Sequence, residues 1–151
     1  MSLAARPRAL LGEVALEPPA LGLRRGELIL EALSRVALGD RVMLARLKDA
    51  HRSGIRVVTS SMTLIEAYHG RVKRAAWARA MSRVVVEPVT REVAEAAVTL
   101  LQDTGLHGHS YAIDAALAVI ASRQPAGVVL FTSDEDDMGK LCGPGVRVVA
   151  L

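Results

Sequence analysis

The chain contains one cysteine, Cys142, so no internal disulfide can staple it. No stretch reaches the roughly 18 or more apolar residues that a membrane helix needs. Both absences point to a reducing, cytoplasmic setting with no membrane partner. No block of Lys and Arg reads as a nucleic-acid tail. A formal charge of +3 and a pI near 9.5 still leave a polyanionic partner open. There is no repeat, no low-complexity tract and no interdomain linker. A length of 151 residues with 51% hydrophobic residues therefore suits one compact domain with its own core. The opening MSLAARPRALLGEVALEPPALG makes a poor signal peptide, because Glu13 and Pro18-Pro19 break its apolar run early. Residues 1–26 read as an N-terminal extension, expected to be disordered up to about Leu23, and the domain as 27–151.

Two hydrophobic periods alternate in the rest. ELIL (27–30), IRVVTS (55–60), SRVVVEP (82–88), GVVLFTS (127–133) and VRVVAL (146–151) are short apolar runs, mostly Val-rich, bounded by Gly, Ser or Pro. Strands buried on both faces have that pattern. Three-to-four spacing predicts helices over Arg41–His51, Met62–His69, Val72–Met81, Arg91–Leu101 and Tyr111–Arg123. Ser53-Gly54 and Gly105 read as helix stops, and Thr90 as an N-cap with Glu92 and Glu95 near the positive helix end. Alternating strands and helices imply right-handed crossovers. The expected fold is α/β, a three-layer α/β/α sandwich with a mainly parallel central sheet.

Ligands of such folds gather at the carboxyl ends of the strands. The residues standing there are mostly acids: Glu31 after LIL, Glu66 one turn or so into the helix after RVVTS, and Asp134 after VVLFTS. A fourth, Asp114, interrupts the apolar helix HSYAIDAALAVIA. Burying an unpaired carboxylate is costly, so such an acid titrates, pairs with a cation or holds a metal. Converging carboxylates without a Cys/His cluster fit a hard divalent cation, Mg²⁺ or Mn²⁺. That chemistry means phosphoryl transfer or phosphodiester hydrolysis.

IRVVTSSMTLIEAYHG, HSYAIDAALAVIA and VVLFTSDEDDMGKL resemble the second, third and fourth acidic blocks of PIN domains, the ribonuclease fold of VapC-like toxins in bacterial toxin–antitoxin pairs. The resemblance covers about residues 27–151. It implies that Glu66, Asp114 and Asp134 are catalytic metal ligands, with Asp136 and Glu31 as further candidates. It also implies an RNA substrate, a homodimer and a small antitoxin protein as partner. The first block departs from the family, which has an Asp directly after the opening strand. In LILEALSRVALGD either Glu31 takes that position with a shorter turn, or the Asp is missing and Glu31 matches a later position that binds nothing. The alternative function is accordingly a catalytically impaired PIN-like module that binds RNA or a protein without cutting.

Simpler roles stand beside these. Ser133 or Asp134 could cap a helix over Glu135–Leu141, with Asp136 in its first turn and Asp137 on a solvated face. Ser60 and Thr132 stand at strand ends where their hydroxyls could support the carboxylates. His107 and His109 read as surface or capping residues, with His109 and Tyr111 as candidates at a substrate rim, and Ser110 as the N-cap of the Asp114 helix. His69 reads as a helix end favoured by the dipole. Trp77 reads as core or dimer packing, and Arg71, Lys73 and Arg74 beside it as possible phosphate contacts. A receiver-like phosphoacceptor fails because Lys140 does not follow a strand end. A haloacid-dehalogenase-type phosphatase fails because its Asp pair would follow the first strand.

Overall fold

The computed structural model describes residues 27–30, 33–125 and 127–151. Residues 1–26, the expected extension, lie outside the described residues, as do Glu31 and Ala32. Five strands are β1 (Glu27–Leu30), β2 (Arg56–Ser60), β3 (Val85–Glu87), β4 (Val128–Thr132) and β5 (Val146–Ala150). They form one sheet in the order β3-β2-β1-β4-β5. Every neighbouring pair is parallel, and Leu28 stands opposite both Val57 and Val129. The Val-rich runs are strands for the reason the sequence suggests. β-Branched side chains tolerate a pleated surface that is covered on both sides.

Parallel pairing demands crossovers, which the helices supply. These are α1 (Leu33–Ala37), α2 (Arg41–Arg52), α3 (Ser61–Ala67), α4 (Arg74–Met81), α5 (Arg91–Thr104), α6 (Gly108–Ser122) and α7 (Glu135–Leu141). Successive strand residues point to opposite faces, and the burial follows. Val58 and Leu130 join a cluster with side chains of α5, α6 and α7. Val57 and Phe131 join a second cluster with α1, α2, α3 and α4. Within the first cluster Ala115 through Ala121 are all buried. A helix apolar all round belongs in an interior, and its alanines allow close approach of its neighbours.

Caps fix the boundaries. Asp40 accepts hydrogen bonds from the backbone N–H groups of Val42 and Met43, and so starts α2. The Thr90 hydroxyl accepts from the Val93 N–H at 3.3 Å, as expected. Glu92 is held below the ordinary carboxylate range, first by its own backbone N–H and then by Thr90. Gly105 ends α5 at φ 69°, a left-handed turn that glycine takes without strain.

Three places differ from the sequence reading. α1 was not foreseen. It ends just ahead of Gly39, whose φ of 81° turns the chain into α2. α3 ends at Ala67, and Tyr68 is already extended at ψ 129°. His69 therefore lies beyond the helix, where its Nδ1 accepts from the Arg71 N–H at 3.2 Å, and the dipole account of it falls. α6 begins at Gly108, because the His107 carbonyl already accepts from the N–H groups of Ser110 and Tyr111 at 3.1 Å. Ser110 is thus inside the first turn and is not the N-cap. Trp77 does pack, partly buried, against the second cluster.

Candidate functional site

β1 is the strand at which the sheet changes its direction of growth, with β2 and then β3 on one side and β4 and then β5 on the other. Such a reversal leaves a crevice beyond the strand ends, because the connecting segments diverge there.

On one side of the crevice β2 passes into α3 without a linker. Ser60 is fully buried. Its hydroxyl accepts from the Thr63 N–H at 2.9 Å and bonds the Thr63 hydroxyl at 2.9 Å. This cap sets the angle at which α3 leaves the sheet and presents Glu66, exposed, in its last turn. On the other side the buried Thr132 hydroxyl accepts from the Asp134 N–H at 2.9 Å. Asp134 Oδ1 in turn accepts from the Asp137 N–H at 3.1 Å and starts α7. Ser60 and Thr132 therefore act by positioning the segments that carry Glu66 and Asp134.

A cavity of about 220 Å³ opens between these joints. Ser34 at the start of α1, Thr63, Glu66 and Ala67 of α3, and Ser133 line it. Three hydroxyls and a carboxylate make its wall polar. Ser34 and Thr63 were not foreseen, and Ser133 was read only as a cap. The signal available for all three was a hydroxyl directly after an apolar run, or within one turn of the next helix.

Of the acids singled out in the sequence, Glu66 alone among the described residues lines this cavity. Asp114 is half-buried in the second turn of α6, a helix that contacts both α3 and α7. Neither Glu66 nor Asp114 is without an interacting neighbour. Asp134 and Asp136 are exposed. Asp137 is partly covered and pairs with Lys140 at 3.1 Å. That hydrogen bond, and then the carboxylate charge, hold the Lys140 ammonium above its ordinary pKa. His109 is exposed and Tyr111 half-buried, both in the first turn of α6. Glu31 lies outside the described residues. Burial pushes the Cys142 thiol up to about 11, and the side chain packs, partly buried, against the first cluster.

No protein-family model matches the chain, and no curated protein matches it. Among solved structures, a chain of the crystal structure of VapBC2 from Rickettsia felis bound to a DNA fragment from their promoter aligns with a TM-score of 0.55. The alignment covers 83% of this chain and 98% of that one, at 11% identity. The likeness is one of fold.

All the candidate acids offer oxygen donors, the set that a hard divalent cation takes. Among the described residues, no three His, Cys, Asp or Glu side chains gather closely enough to hold a metal ion. The donor type fits such a cation. The count within one coordination sphere does not, with Glu31 outside the described residues.

Proposed function

We propose that this chain is a PIN-like three-layer α/β/α protein that hydrolyses RNA phosphodiesters as the toxin component of a type II toxin–antitoxin pair. The observation that carries the reading is the polar cavity at the sheet reversal, with Glu66 in its wall and Ser133, the neighbour of Asp134, opposite. Support also comes from the likeness in fold to a VapBC2 chain and from the order of the acidic blocks.

The resemblance assigns Glu66, Asp114 and Asp134 to Mg²⁺ or Mn²⁺, with Glu31 and Asp136 as further donors; since the described acids do not share one coordination sphere, the reading requires them to close around the cation. When bound, the cation supplies charge neutralisation at the phosphate and a lowered pKa for a water. The protein's own part is positional. Ser60 fixes α3, Thr132 fixes the turn at Asp134, and the hydroxyls of Ser34, Thr63 and Ser133 give the cavity wall hydrogen-bonding groups. His109 and Tyr111, in the first turn of α6, would be substrate contacts. By the same resemblance the chain acts as a homodimer and is neutralised by a small antitoxin protein, and its single cysteine suits the cytoplasm.

The test is cleavage of a mixed-sequence RNA pool by the purified protein, with Mn²⁺ or with EDTA, beside Asp114→Asn. Cleavage that needs the metal and falls at least about 100-fold in the variant is the expected result, a loss of roughly 3 kcal/mol in transition-state stabilisation. The second reading, a PIN-like module that binds RNA or a protein without cutting, is favoured by the ungathered carboxylates and by the altered LILEAL block. Folded protein that binds RNA and leaves it intact across a panel of sequences would decide for it.

A further inference from the structure

Tyr68, at the end of α3, is 68% exposed, an unusual position for one of the chain's two tyrosines. Its ring meets Trp77 edge to face, with centroids 6.2 Å apart and planes at 82°. Trp77 is anchored against the second core cluster. The pair therefore orients the Tyr68 ring while most of it stays in water. An aromatic ring already held in one orientation loses little freedom when a flat partner stacks on it.

The surroundings are cationic. Arg71, Lys73 and Arg74 are exposed, and among the described residues none of them pairs with a carboxylate. The Lys73 N–H donates to the Ala37 carbonyl at 3.2 Å, which ties the start of α4 to α1. The start of α4 is thus tied to the helix whose Ser34 lines the cavity. Glu66 lies two residues before Tyr68 on the same segment, and Ser34 lies on α1.

We infer that this corner is a platform for single-stranded RNA, with Tyr68 stacking on a base and Arg71 and Arg74 meeting the phosphates on either side. The inference rests on the ribonuclease reading and adds how the substrate is held beside the cavity. An exposed ring among unpaired cations is the arrangement that single strands take, since every base has a π-face and every linkage a charge. An apolar partner would cover Tyr68 and Ile65 but leave the arginines without counter-charges.

The experiment uses the whole chain in EDTA, so that binding is read apart from cleavage. A short fluorescein-labelled single-stranded RNA pool of mixed sequence is titrated by anisotropy, while the emission of Trp77, the sole tryptophan, is followed in parallel. Binding should change that emission. Tyr68→Ala should weaken binding about tenfold, the effect of losing one stacked base, whereas Tyr68→Phe should stay within about twofold. The double variant Arg71→Ala, Arg74→Ala should weaken binding and flatten the salt dependence by about 1.4 in log–log slope, the value for two lost contacts to a single strand. Unchanged affinity in folded Tyr68→Ala, or no RNA binding at all, would overturn the platform. RNA bound through Tyr68 but never cut with Mn²⁺ would leave the platform standing and sink the nuclease. RNA cut with Mn²⁺ while neither variant alters binding would do the reverse.

Discussion

α3 and α7 are both seven-residue helices, and they leave the carboxyl ends of the two strands that flank β1. They are held differently. α3 is capped by a neutral hydroxyl, the buried Ser60, and its acid Glu66 comes in the last turn, where it caps nothing. α7 is capped by the acid itself, Asp134, followed by Glu135, Asp136 and Asp137 in its first turn and Lys140 in its last. That charge order complements the helix dipole at both ends. α7 buries Met138 and Leu141, whereas α3 buries Thr63 and Ala67 and leaves Ile65 and Tyr68 in water. Stability therefore explains nearly every side chain of α7. In the α3 segment it leaves Ile65 and most of the Tyr68 ring in water, next to Glu66 in the cavity wall.

The largest expected effect tests whether the helices are anchored as unequally as their burial implies. Met138 is 1% exposed and packs in the first cluster, so Met138→Ala should cost about 2–5 kcal/mol through lost contacts and a cavity. Ile65 is 74% exposed, and Ile65→Ala should stay within about 0.5 kcal/mol. Urea unfolding of both variants gives the answer. Similar losses in the two would mean that α3 is covered in solution by something that holds Ile65.

A smaller effect belongs to the α3 cap. Ser60→Ala removes the acceptor for the Thr63 N–H and the partner of the Thr63 hydroxyl, both in a buried setting. The expected cost is about 1–2 kcal/mol. If the Ser60 hydroxyl matters to function only by aiming α3, RNA cleavage at a temperature where the variant is folded should fall with it, and Ser60→Thr should restore both. Full activity in a destabilised Ser60→Ala would separate the cap from the site.

The strands were legible because Val-rich runs bounded by Gly, Ser and Pro have few alternatives, and all five appear where the sequence puts them. The longer helices were legible by period, with ends displaced where caps were misjudged. α6 starts at a glycine with no side-chain cap, so nothing in HGHSYAID announced its first turn, and Ser110 looked like the natural start. α1 has five residues, fewer than two full turns, too few for a period to register. The site was legible in part for the same reason. Glu66 could be placed at the strand ends from its distance to RVVTS, but Ser34 depended on α1, which the sequence did not reveal. That Asp134 is itself the cap, and Ser60 its counterpart at α3, was a matter of geometry between neighbours. Sequence alone offered Ser133 or Asp134 for α7 and no cap for α3.

The smallest change in stability is also the sharpest test of the comparison. Asn caps a helix about as well as Asp, and Glu135, Asp136 and Asp137 would still supply negative charge to the first turn of α7. Asp134→Asn should therefore cost no more than about 0.5 kcal/mol, a fraction of the dipole term for one exposed charge. A carboxylate that holds a cation has no such substitute, because an amide offers one neutral oxygen. If Asp134 serves both tasks, the variant should melt with the parent protein, lose the Mn²⁺-induced rise in melting temperature that ligand linkage requires, and lose metal-dependent cleavage. If melting, metal response and cleavage all survive, the acids of α7 are caps and nothing more. The chemistry would then belong to Glu66 and Asp114, on helices that contact each other without α7.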